Sequence, residues 1–102
     1  MIRHIVLTKF QPGTPEDKIA GIYQGLADLT ETLPGALGFK GGRSESPEQI
    51  ERGYMHGFTV DFDDWNALQT YADNPDHKAL GAQLVENAVG GIDGILVLDI
   101  NV

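Results

Sequence analysis

Apolar and polar residues alternate from the first position of the chain. In MIRHIVLTKF, Ile2, His4, Val6, Thr8 and Phe10 fall on one face of an extended segment, and Ile5 and Leu7 join Arg3 and Lys9 on the other. The pattern predicts a strand with apolar groups on both sides. QPGTPEDK then reads as a turn leading into a helix, with Thr14 as N-cap, Pro15 in the first helical position, and Glu16 and Asp17 at the positive helix end. Ile19, Ile22, Tyr23, Leu26, Leu29 and Leu33 recur near the 3.6-residue period, and Pro34-Gly35 stops the helix. ALGFKGGRSES reads as a second, glycine-rich strand, followed by a polar loop. The third strand is YMHGFTVDF, with Tyr54, His56, Phe58, Val60 and Phe62 sharing a face. A second helix follows, with Trp65, Leu68, Tyr71 and Ala72 on one side. Asn74 and Pro75 end it and start another, whose apolar face carries His77, Leu80, Leu84 and Val85. VGGIDG is the last turn and ILVLDINV the last strand.

The order is βαββαβ with the second helix broken, which predicts an α+β ferredoxin-like sandwich of one domain spanning residues 1–102. Both helices lie on one face of the sheet. The strands nevertheless carry apolar residues on both faces, so the uncovered face would be a large exposed patch. A homodimer through the sheet faces removes that conflict.

Composition narrows the function classes. With 102 residues and 41% hydrophobic content, the chain fits one soluble domain near the lower size limit for an unstapled core. Cysteine is absent, which leaves no disulfide framework, thiolate nucleophile or zinc–thiolate site. No segment has the length of a membrane span and the N-terminus does not read as a signal peptide, so a cytoplasmic location is the default expectation. Fifteen acidic and seven basic residues give a net charge of −8, which argues against nucleic-acid and anionic-membrane partners.

Candidate chemistry rests on three histidines, His4, His56 and His77, with Tyr71 and Asp99. His77 sits near a helix N-terminus, where the positive dipole end disfavours imidazolium and keeps the ring neutral, as a general base requires. If these side chains converge in one cavity between helices and sheet, His77 is a base, Asp99 orients its ring, and the Tyr71 hydroxyl binds a developing oxyanion. The histidines lack the spacing of a metal site, and GFKGGRS lacks the helix and lysine of a phosphate loop. Neither a metal nor a cofactor is expected.

IRHIVLTKF, ERGYMHGFTVDF, ALQTYADNPDHKAL and ILVLDI together resemble the stress-responsive A/B barrel (Dabb) family of the dimeric α+β barrel superfamily, over nearly the whole chain. The resemblance implies a histidine base at His77, a tyrosine partner at Tyr71 and an orienting aspartate at Asp99. His4 and His56 occupy the family's first-strand and third-strand histidine positions. It also implies a homodimer and, by likeness to members with polyketide cyclase activity, cofactor-free aldol chemistry on a carbonyl compound. His4, His56, Val6, Phe58 and Tyr23 are the expected lining of a pocket for a small organic ligand. Gly21 and Gly25 stand where those cyclases carry bulky aromatics, so the substrate does not carry over. The same resemblance admits a non-catalytic oligomeric stress-response protein, and the wider superfamily a cofactor-free monooxygenase or isomerase.

Overall fold

The computed structural model describes residues 1–102. Four strands, β1 (Ile2–Thr8), β2 (Ala36–Arg43), β3 (His56–Phe62) and β4 (Ile95–Asn101), alternate with helices α1 (Glu16–Thr32), α2 (Trp65–Asp73) and α3 (Pro75–Asn87), and a 3₁₀ turn at Gly91–Gly94 leads into β4. The sheet order is β2-β3-β1-β4 with every neighbouring pair antiparallel. Each βαβ unit is therefore split, with a strand of the other unit between its own two, which is the ferredoxin-like sandwich expected from the element order. No helix is long and apolar enough to cross a membrane.

Register decides what each face carries. Ile2 pairs with Phe62, His4 with Val60, Val6 with Phe58 and Thr8 with His56, so these eight side chains share the inner face beneath the helices. Val60 and Phe62 are completely buried there, against Ile19, Ile22, Tyr23, Leu26 and Leu29 of α1. The outer face takes the alternate positions: Ile5 and Leu7 of β1, facing Leu98 and Leu96 of β4. Leu96, Leu98 and Ile100 are 46%, 56% and 45% exposed. Beside them Arg3 forms a forked ion pair with Asp61 directly opposite on β3, at 2.9 and 3.1 Å.

β4 also stays open on its inner face. The helices pack chiefly on β2 and β3, leaving Val97 half exposed and Asp99 accessible above the sheet.

Three local expectations are corrected. Thr14 does not cap α1; its hydroxyl donates to the Gln11 carbonyl at 2.7 Å, and the extended Pro15 takes the cap position, its own carbonyl accepting from Lys18 and Ile19. Trp65 is 56% exposed and not on the packed side, because it starts α2 at the rim of the helix layer. Tyr54 precedes β3 and lies under the Lys9 ammonium, 5.2 Å from its ring centroid.

The break at Asn74-Pro75 forms as expected. The Asn74 N–H donates to the Tyr71 carbonyl at 3.2 Å and closes α2. Its side-chain oxygen accepts from the Asp76 and His77 N–H groups at 2.8 and 3.2 Å and opens α3. One residue thus fixes Tyr71 and His77 in relation to each other. Asn74→Ala leaves those two amides without their side-chain partner, and urea unfolding is expected to register a loss of about 1 kcal/mol.

Candidate functional site

Tyr71 and His77 meet across the Asn74 bend with ring centroids 4.1 Å apart. Tyr71 is 1% exposed, and its ring also contacts Phe62 at 5.1 Å and the edge of His4 at 5.8 Å. Its hydroxyl, enclosed with them, has no hydrogen-bond partner. His77 Nδ1 lies 3.3 Å from the Ala72 carbonyl of the preceding helix. A carbonyl accepts only, so Nδ1 carries the proton and Nε2 keeps its lone pair. On the far side of Tyr71, His4 Nδ1 stands 2.6 Å from Asp99 Oδ1.

Asp99 therefore holds His4, not His77. The reason is register: Asp99 is directly opposite His4 on the neighbouring strand, where facing side chains are about 5 Å apart at Cβ. The hydrogen bond expected between Asp99 and His77 is absent, and the Ala72 carbonyl is the partner of His77 Nδ1 instead. The arrangement is a row of Ala72, His77, Tyr71, His4 and Asp99, with Asp99 exposed at the β4 end.

His56 does not join this row. It sits near the opposite end of the strands, opposite Thr8, and its buried ring bonds the Glu16 carboxylate at 3.0 and 3.2 Å and meets the edge of Phe10 at 5.3 Å. Glu16 also accepts from Arg43 at 3.1 Å. Tyr23 is likewise apart, against Phe39 and Phe58 at 5.7 and 5.4 Å. Val6 and Phe58 are core residues between the two groups, with Phe58 contacting His4 on one side and stacking on Phe39 on the other. The single cavity anticipated from the sequence does not form: His56 and Tyr23 line a cavity of their own, and His4, Tyr71, His77 and Asp99 line none of the five principal cavities. The cavity beside His56 and Tyr23, about 540 Å³, runs between α1 and β2. Glu16 and Arg43 escaped the sequence reading because a first-turn carboxylate and a basic residue at the end of a glycine-rich strand each have a sufficient local explanation. No group of three His, Asp or Glu side chains gathers closely enough to hold a metal ion.

Burial sets the protonation states. It pushes the His77 pKa below the ordinary histidine value, the Ala72 carbonyl opposes the shift, and the nearby His4 reinforces it. Burial raises the Tyr71 phenol well above its usual range, so the hydroxyl stays a donor at neutral pH. The row therefore combines a neutral imidazole with a protonated hydroxyl. The His56 hydrogen bond holds Glu16 below the usual carboxylate range, with Arg43 adding to it.

The His77 shift has a consequence for stability. Because the folded ring binds its proton less readily than the unfolded one, the unfolded chain takes up more protons as pH falls through about 6.5. The native state should lose stability from neutrality toward about pH 5, and His77→Gln should flatten that part of the profile in urea titrations at stepped pH.

Residues 2–102 match the family model described as the Stress responsive A/B Barrel Domain. The chain is 28% identical over 98 residues to the stress-response A/B barrel domain-containing protein HS1 of Arabidopsis thaliana, covering 96% of this chain and 86% of that one. Among solved structures, a dimeric ferredoxin-like protein of unknown function from Jannaschia superposes with a TM-score of 0.92 at 35% identity, over 99% of this chain and 98% of that one. A hydroxynitrile lyase from Passiflora edulis superposes at 0.84 over 99% and 92% of the two chains, and at 18% identity that likeness speaks for the fold alone.

Proposed function

This chain belongs to the stress-responsive A/B barrel family, and on that footing we propose that it is a homodimeric small-molecule protein whose His77, Tyr71, His4 and Asp99 perform cofactor-independent acid–base chemistry on a carbonyl compound. The observation that carries the reading is the Tyr71 hydroxyl, buried with nothing to bond on a ring that contacts two histidine rings. Leaving such a group unsatisfied costs about 1–3 kcal/mol, and a ligand oxygen placed there recovers it.

In the proposed reaction His77 Nε2 removes a proton from the carbon beside the carbonyl. The electron pair moves onto the carbonyl oxygen, and the Tyr71 hydroxyl donates a hydrogen bond to the resulting enolate. The enolate carbon then attacks a second carbonyl of the same molecule, as in a polyketide cyclase-like aldol condensation, and the new alkoxide takes a proton from imidazolium. His4, held by Asp99, faces the substrate from the β4 side. The ligand enters over β4, where Asp99 is accessible.

The homodimer rests on the outer face of the sheet. Ile5, Leu7, Leu96, Leu98 and Ile100 form a continuous apolar surface there that a second copy covers. The solved relative from Jannaschia is described as dimeric.

Enolisation is measurable without the natural substrate. Deuterium exchange at the methyl hydrogens of 2,4-pentanedione should exceed the rate given by the same concentration of free imidazole, and His77→Ala should remove about 10²-fold or more of it. Tyr71→Phe should lose less, with folding intact in both. Exchange no faster than imidazole, or unchanged in His77→Ala, would end the catalytic reading.

Sedimentation is expected to find a dimer at micromolar concentration, and Leu98→Lys to yield monomer or unfolded chain. A stable wild-type monomer refutes the dimer.

A further inference from the structure

The net charge of −8 is not spread over the molecule. Ten of the fifteen acidic residues lie in the three helices, the turn before α2 and the 3₁₀ turn, with only two of the seven basic ones, Lys18 and Lys78. The rest of the chain, chiefly the strands and the β2–β3 loop, holds five of each sign and is neutral as a group. Ion pairing follows the same division. The cations of the salt bridges all come from the strands: Arg3 with Asp61, His4 with Asp99, and Arg43 and His56 with Glu16. Apart from Glu16, the carboxylates of the helix side have no basic partner.

On this side a cavity of about 300 Å³ lies between α1 and α3. Its apolar lining is Gly25 and the buried Leu29 of α1 with the half-buried Leu80 of α3. Glycine within a helix is unfavourable, and here it lets the Leu80 side chain lie down on α1, since an added Cβ at Gly25 would stand 2.8 Å from Leu80 Cδ2. Gly21, one turn earlier, is exposed with nothing within 4 Å of an added Cβ, so the surface stays low along α1. The polar lining is Asp28 of α1 and Asp76 of α3, with Thr32, whose hydroxyl is already given to the Leu29 carbonyl at 2.8 Å. Both carboxylates are exposed, and the one side-chain bond at either is a neutral one, donated to Asp28 by Gln24 at 2.8 Å. Neither Lys18 nor Lys78 lines the cavity.

We infer that the α1–α3 cavity docks an arginine-bearing segment of another protein, with the arginine stem on Leu29 and Leu80 and its guanidinium between Asp28 and Asp76. The planar guanidinium carries enough N–H donors to serve two carboxylates at once, whereas an ammonium is a compact charge that holds its water. The stem covers the apolar lining. The negative charge of the whole helix side steers a basic partner to this face. The homodimer proposed above uses the opposite side of the sheet, so docking here neither competes with it nor depends on the chemistry at Tyr71.

The experiment is an amide NMR titration of the full chain with a blocked peptide of alanine and glutamine carrying one central arginine, compared with the same peptide carrying lysine or citrulline there. The arginine peptide should move the Gly25, Thr32 and Leu80 amides saturably. It should bind about fivefold tighter than the lysine peptide, and the citrulline peptide should not bind. Asp28→Asn and Asp76→Asn should each weaken the arginine peptide by about fivefold. Glu86→Gln removes the same charge from the same helix side outside the cavity, and should leave the affinity nearly unchanged. All three positions are exposed, so the fold is kept. The inference is overturned by unsaturable shifts, by shifts confined to other residues, by equal affinity for the arginine and lysine peptides, or by an affinity that survives both aspartate substitutions. An equal loss in Glu86→Gln would also overturn it, because diffuse attraction to an acidic surface would then account for the binding.

Discussion

β1 is paired along its full length on both sides, with β3 and with β4, and that double register fixes what the rest of the molecule can be. A slip of one residue would send Ile2, His4, Val6 and Thr8 to the outer face and bring Arg3, Ile5 and Leu7 under the helices. Arg3 would then be buried without Asp61. The forked ion pair on one face and the apolar core on the other therefore enforce the same register. His4 meets Asp99 as a result of it.

The two polar centres of the inner face share a wall and differ in charge. At the Tyr71 row the one carboxylate, Asp99, is given to His4, while His77 rests on a backbone carbonyl and stays neutral through burial. At the α1–β2 cavity a single carboxylate, Glu16, serves both a histidine and an arginine. The first arrangement leaves a free imidazole nitrogen. The second leaves no free base but keeps an apolar wall with one hydroxyl.

Element order, both helix breaks and the face assignments of β1 were legible in the sequence, because each depends on spacing within about ten residues. The Asn74-Pro75 boundary is the clearest case: a capping amide followed by proline has one economical reading, and the hydrogen bonds agree with it. The partner of Asp99 was not legible. Both His4 and His77 are reasonable neighbours until the β1–β4 register is known, and registry between the first and last strands leaves no local trace. The separation of His56 from the other histidines has the same origin. It follows from counting four residues along β3 from the position opposite His4, which requires the pairing first. Thr14 failed for a smaller reason: a threonine followed by proline looks like a cap, yet Pro15 keeps an extended backbone and the threonine turns back to Gln11.

The two halves of the Tyr71 row differ in how far the chain must travel to make them. Tyr71 and His77 are brought together by a single bend within one short segment, whereas the contact between His4 and Asp99 spans 95 residues. In loop-closure terms the longer contact carries roughly 2 kcal/mol more chain entropy than the shorter one. His77 and Tyr71 are thus a local unit that forms with the helices, and His4 acquires its carboxylate only once the two ends of the chain lie side by side. A fully formed row is accordingly a molecular record that the last strand has docked.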